Sequence, residues 1–197
     1  MSSFSQVLNQ TVHSLENSIS LKTRRFLSVT LLTLATAAGA WLVIPIPGNP
    51  VPITLQTFFV LAGAGLLGSR LSLSAQSSYL LLGGLGLPWL AGTAFGAPTL
   101  LGATGGYLLG FVLASALIGF MLKTSTSTLR LFSALILGEL VILASGALWL
   151  SFGLHCSFLH AVQLGVLPFL PGDAAKLLAA AACIRALRPL TQKVLQA

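Results

Sequence analysis

The chain has 197 residues, of which 55% are hydrophobic and only 7% charged, with a net charge of +7 and a mean hydropathy of +0.95. A soluble domain carries about 25% charged residues, so this composition excludes an ordinary soluble globule and points to an integral membrane protein. The basic residues are sparse and dispersed, which fits a membrane topology signal and not a nucleic-acid surface.

Residues 1–20 place Phe4, Val7, Leu8, Val12, Leu15 and Ile19 at helical spacing, with Ser, Gln, Asn and Glu16 opposite. Segment 1–21 therefore reads as a short amphipathic helix lying on a membrane surface, with a tail as the alternative. Lys22, Arg24 and Arg25 then precede an apolar run from Phe26 to Ile46. About 20 helical residues cross a ~30 Å hydrocarbon layer, so this run predicts a first span. Ala35-Thr36-Ala37 resembles a signal-peptide cleavage site, but the length of the run and the spans that follow argue against one.

"PIPGNPVPIT", residues 45–54, cannot continue a helix, because four of its residues are proline. It predicts an ordered turn or extended loop. Apolar runs then predict a second span over about Leu55–Gly68 and a third over about Leu71–Leu87, parted by Ser69-Arg70. A Gly/Pro-rich loop, "PWLAGTAFGAPTLLGATGG", leads to a fourth span over about Gly106–Leu122. "KTSTSTLR" is a polar break before a fifth span at about Leu131–Phe152. A short apolar piece, Phe158–Leu167, and "PFLPGD" introduce a sixth span that ends near Leu187. The expected fold is an all-α integral membrane protein of six transmembrane helices. Residues 22–188 are expected to form its membrane domain and 189–197 a tail.

With six spans, nine of the ten Lys and Arg residues fall on one side: Lys22, Arg24, Arg25, Arg70, Lys123, Arg130, Arg185, Arg188 and Lys193. The positive-inside rule makes that side cytoplasmic and places both termini there. The tenth, Lys176, lies in the outer half of the sixth span. A charge at that depth costs about 2.5–3.5 kcal/mol on insertion scales, so a reason for it is expected.

Asp173, one of only three acidic residues, stands three positions before Lys176, so the two share a helix face. One reading makes Asp173 the N-cap of the last helix, after a break at Pro171-Gly172, with a local ion pair. The other makes the pair line a substrate cavity, and the two are compatible. Thr54 and Gln56 open the second span, and an amide both donates and accepts. Trp89, Phe95 and Tyr107 lie on or beside the long outer loop, as an interfacial belt or as a lid over an apolar ligand. "GAGLLG", Gly63–Gly68, matches a dinucleotide pattern but follows no strand and lies in an apolar helix, where such glycines serve packing. Gly102, Gly106, Gly110 and Ala114 form a small-residue row, and Ala35/Gly39 a similar one on the first span.

Glu139, in the middle of the fifth span, is either an ion carrier or the partner of a neighbouring group. His155, Cys156 and His160 are too loosely placed for a metal site, and Cys183 pairs with no zinc spacing. No GxxxxGK[ST] occurs, which excludes ATP binding by that route.

Four stretches in order, "PIPGNPVPITLQTFFVLAGAGLLGSRLS", "YLLLGGLGLPWLAG", "LLGATGGYLLGFVLASALIG" and "PFLPGDAAKLLAA", resemble the BioY family over roughly residues 25–188. BioY proteins are the biotin-binding S components of energy-coupling factor (ECF) vitamin importers. The resemblance implies biotin as transported ligand and no cofactor. It implies, as partners, a transmembrane coupling subunit and two ATPase subunits, with a lipid bilayer and no nucleic acid. Its implied site is Thr54, Gln56, Trp89, Phe95, Tyr107, Asp173 and Lys176. The row at Ala35 and Gly39 is expected to dock on the coupling subunit, so Gly39→Leu should spare binding and block transport. Two positions depart from the family pattern: Ala94 where relatives often carry Asn, and Leu108 where some carry an Arg suited to the biotin carboxylate. Rival readings are an S component for another vitamin or a biotin precursor, and a secondary transporter coupled through Glu139. An enzyme is disfavoured by the lack of a nucleophile–base pair.

Overall fold

The computed structural model describes residues 20–91, 96–124 and 127–196. The expected amphipathic segment up to residue 19, and the positions of Ala94 and Phe95, lie outside them.

Helix α1 is Leu21–Trp41, and the Ser20 side chain caps it by accepting from the Thr23 N–H. The proline-rich stretch that follows is not wholly irregular. Strand β1, Val43–Ile44, pairs antiparallel with β2, Ile53–Thr54, so that Val43 faces Thr54 and Ile44 faces Ile53. This small ladder is a local addition to an otherwise helical fold. It stops at two residues a side because proline has no N–H to extend it. Asn49 shapes the intervening turn: its Oδ1 accepts from Val51 N at 2.9 Å and its Nδ2 donates to Leu164 O at 2.6 Å.

Helix α2, Gln56–Gly84, is two antiparallel arms, 56–67 and 69–84, that meet at Gly68. Gln56 Nε2 donates to Tyr79 Oη at 2.6 Å, 23 residues along the chain. In one straight helix those residues would stand about 34 Å apart at 1.5 Å per residue. Gly68 makes the reversal with φ +77°, a conformation open to glycine without steric cost. The predicted break at Ser69-Arg70 thus falls one residue after the turn.

A short helix not foreseen in the long loop, α3, covers Ala97–Leu101, followed by α4 at Gly105–Met121 and α5 at Thr128–Gly153. At Gly110, on the predicted small-residue row of α4, a Cβ would lie 2.9 Å from Ile142 Cα, so this glycine lets α4 and α5 approach closely. Helix α6, Phe158–Gly165, and α7, Leu170–Gln196, are bent by 59°. Helix α7 begins earlier than expected. Pro171 sits in its first turn, where no N–H is required, and Asp173 N already donates to Phe169 O at 2.8 Å. Asp173 is therefore inside the helix and not its N-cap. Residues 189–196, expected as a tail, continue the same helix through Pro189.

Among the described residues, two helices are long and apolar enough to cross a membrane, α2 and α5, and the bent α6–α7 pair makes a third if it counts as one span. Because α2 doubles back, its 29 residues supply two shorter arms instead of one long rod. The outside of the bundle is apolar, with Phe26, Leu31, Phe120 and Leu129 exposed. Polar groups are turned inward: Thr33 Oγ1 donates to Ala75 O and Gln76 Nε2 to Thr36 Oγ1, both tying α1 to the second arm of α2. This inverted polarity is that of a protein solvated by lipid.

The two ends of the bundle differ in charge. At one, Arg24 donates to Val194 O, Arg185 to Thr128 Oγ1, and Arg188 to Gly65 O and Leu122 O. These bonds bring the start of α1, the turn at Gly68, the α4–α5 connection and the end of α7 to one face. At the other, Trp41 Nε1 donates to Pro88 O and Trp149 Nε1 to Gly102 O, near Trp89.

Candidate ligand-binding cavity

A cavity of about 530 Å³, counted out to its open mouth, lies at the tryptophan end. Its walls come from the β2 region, the first arm of α2, and helices α4, α5 and α7.

Four predicted residues line its polar side: Thr54, Gln56, Asp173 and Lys176. The first two turns of α7 supply the last two. Lys176 Nζ meets Asp173 Oδ1 at 2.5 Å, donates to Thr57 Oγ1 at 2.6 Å and to Thr54 O at 3.1 Å. An ammonium has three donors, so all three are taken by the chain itself. Asp173 is 4% exposed, which makes this a buried, hydrogen-bonded charge pair. A pair so placed needs its extra hydrogen bonds to offset desolvation. The donation to two parts of the α2 entry also ties α7 to α2.

Gln56 is buried and oriented through a relay. Thr54 Oγ1 donates to Gln56 Oε1 at 3.2 Å, Gln56 Nε2 to Tyr79 Oη at 2.6 Å, and Tyr79 Oη to Trp89 O at 2.8 Å. Trp89 therefore reaches the site through its backbone carbonyl, which anchors the relay, and its side chain is not among the cavity walls. Phe95 lies outside the described residues.

Tyr107 forms part of the apolar side. Its hydroxyl is spent on Gly165 O at 2.6 Å, leaving the ring as the surface offered to the cavity beside Phe169, with centroids 6.3 Å apart. Leu108, Phe111, Ile142 and Leu143 complete that wall. Thr57, Thr104, Phe111 and Phe169 were not singled out from the sequence. Thr57 could have been noted as the hydroxyl next to Gln56; the apolar walls are indistinguishable from core by composition.

Of the row expected to dock on the coupling subunit, Gly39 packs within this chain. Ala35 is half-buried and Gly39 buried. A Cβ at Gly39 would lie 2.9 Å from Phe59 Cδ2 and 3.0 Å from Gln56 N. The small residue thus lets α1 approach the entry of α2 within this chain, directly behind Gln56. The expectation for its substitution reverses accordingly. Gly39→Leu should reduce ligand affinity and lower the melting temperature together, since forced overpacking costs about 1–3 kcal/mol. Wild-type affinity and stability in that variant would return Gly39 to an outward-facing role.

The BioY family model matches residues 11–193. The chain is 37% identical to the "Biotin transporter BioY" of Thermotoga maritima over 80% of its own length and 92% of that protein's. It is also 37% identical to the "Probable biotin transporter BioY" of Pyrococcus horikoshii, over 79% and 91% of the two chains. Among solved structures it superposes on the S-component for biotin from an ECF-type ABC transporter with a TM-score of 0.80 and 31% identity, covering 87% of this chain and 95% of that one.

Proposed function

The chain belongs to the BioY family, and from that premise we propose that it captures biotin in the cavity beside Asp173 and Lys176 and passes it inward when energised by an ECF module. The observation that carries the reading is the pairing of one buried acceptor with one part-buried cation on the polar side of an otherwise apolar cavity. Biotin has a ureido ring with two N–H donors and one carbonyl, an apolar thioether ring and a carboxylate. A buried site must satisfy each polar group, because an unpaired one costs several kcal/mol.

In this reading Asp173 accepts from a ureido N–H, and Lys176 exchanges one of its threonine acceptors for the ureido carbonyl. Gln56 supplies a further amide. The thioether ring lies against Tyr107, Phe111 and Phe169. With Leu108 apolar, the carboxylate is left to the first turn of α4, where Thr104 lines the cavity and the helix dipole favours an anion.

The six rods available are α1, the two arms of α2, α4, α5 and the α6–α7 pair, and we read each as one crossing of the cell membrane. Both termini then lie with the arginines at the cytoplasmic end and the cavity opens outward. In a background without Cys156 and Cys183, Pro47→Cys should react with an impermeant thiol reagent added to intact cells, and Lys123→Cys only after permeabilisation. The opposite pattern would invert the topology. The energising module consists, in this reading, of a coupling membrane subunit and two ATPases, since no GxxxxGK[ST] motif occurs in this sequence.

Purified protein should bind radiolabelled biotin saturably, with weaker competition by dethiobiotin, which lacks the thioether ring, and none by thiamine or riboflavin. Competition by thiamine or riboflavin in preference to biotin would assign the cavity to another vitamin.

A further inference from the structure

Glu139, on α5, is 6% exposed, and both of its carboxyl oxygens are buried without a donor to accept from. It is not among the cavity walls; it stands behind them, one helical turn before Ile142 and Leu143, which do line the cavity. The group within hydrogen-bonding reach of its carboxyl is Asp173, itself an acceptor. The charged groups that act on it are Asp173 and Lys176, both from α7. From α4 the nearby titratable side chain on the cavity is Tyr107, whose proton is committed to Gly165 O.

Two ionised carboxylates in this position would leave each facing an acceptor. Together with the single ammonium they would also leave a net negative charge inside the membrane, which is costly. One proton between them removes both conflicts. It cannot come from Lys176, whose three donors are accounted for. We propose that Glu139 is a positioning residue: a neutral carboxyl that donates its proton to Asp173 and so fixes the rotamer in which that carboxylate presents its remaining lone pairs to the ligand. The ligand in question is the ureido ring of the proposed function, on which this inference rests. The Glu139–Asp173–Lys176 group is then electrically neutral, and Glu139 stays protonated through binding.

The test has an infrared arm and a binding arm. In ligand-free protein, the wild type should show the C=O band of a protonated, hydrogen-bonded carboxyl group, shifting in heavy water. That band should vanish in Glu139→Gln and persist in Asp173→Asn. In the binding arm, Glu139→Gln keeps an N–H donor to Asp173 and should hold biotin affinity within about threefold. Glu139→Met removes the donor and should lose about tenfold or more, the loss expected when a charge-assisted hydrogen bond is removed. A wild-type spectrum without the band overturns the proposal, whether or not biotin binds. So does a Met variant that binds as well as Gln, or a Gln variant as weak as Met. Wild-type protein that shows the band but binds no biotin counts against the ligand assignment instead, and leaves the shared proton standing.

Discussion

Lys176→Met should lower biotin affinity by about 100-fold or more. The substitution keeps most of the apolar stem and removes only the ammonium, so no large cavity opens. What it leaves is Asp173, 4% exposed, without the cation at 2.5 Å, and two acceptors at Thr57 and Thr54 without their donor. Breaking a buried ion pair from one side typically costs about 3–5 kcal/mol. The ureido carbonyl meanwhile loses its charged donor. Titration calorimetry on monodisperse protein in nanodiscs reads the loss. A Met variant that binds like the wild type would confine Lys176 to tying α7 to α2.

Asp173→Asn should weaken binding by about 10- to 100-fold while the protein still folds. A hydrogen bond to a charged group contributes about 1.5–3 kcal/mol, and Asn replaces it with a neutral one at best. Because Asp173 lies inside the first turn of α7, loss of a helix cap cannot account for a fall in affinity. Lys176 keeps Thr57 and Thr54 as acceptors in this variant, which is why its effect should be the smaller of the two. As the two residues are in contact, the double variant should cost less than the sum of the singles. Unchanged affinity would mean that the carboxylate serves the fold alone.

The helices in the middle of the chain were legible to within a few residues, because apolar runs and polar breaks report them directly: α4 and α5 cover Gly105–Met121 and Thr128–Gly153 where spans over about Gly106–Leu122 and Leu131–Phe152 were expected. The break at Ser69-Arg70 sits beside the turn at Gly68, and the i, i+3 spacing of Asp173 and Lys176 was enough to place them on one face. What each face meets was not legible. The partner of Lys176 on α2, Thr57, lies 119 residues away in the chain, and no local pattern encodes that distance. Gly39 shows the same limit: a small-residue row states that something packs closely there, but not whether it is a partner subunit or, as here, the backbone at Gln56. Pro171 read as a helix breaker because proline disrupts helix interiors, yet it is tolerated in a first turn, and this moved Asp173 from cap to interior. The β1–β2 ladder was too short to show alternation. Glu139 stood out as an intramembrane acid, but its neighbour could be found only in three dimensions.

The most direct test of the central claim, that this cavity holds biotin by its ureido ring, is an experimental structure of the protein with biotin bound, at a resolution that places the ring. A ureido nitrogen should lie within about 2.7–3.2 Å of an Asp173 oxygen, the normal hydrogen-bond range. Lys176 Nζ should be turned from Thr57 or Thr54 to the ureido oxygen, with the thioether ring against Tyr107 and Phe169. Biotin located elsewhere, or seated here with Lys176 still holding Asp173, Thr57 and Thr54 as in the free protein, would contradict it.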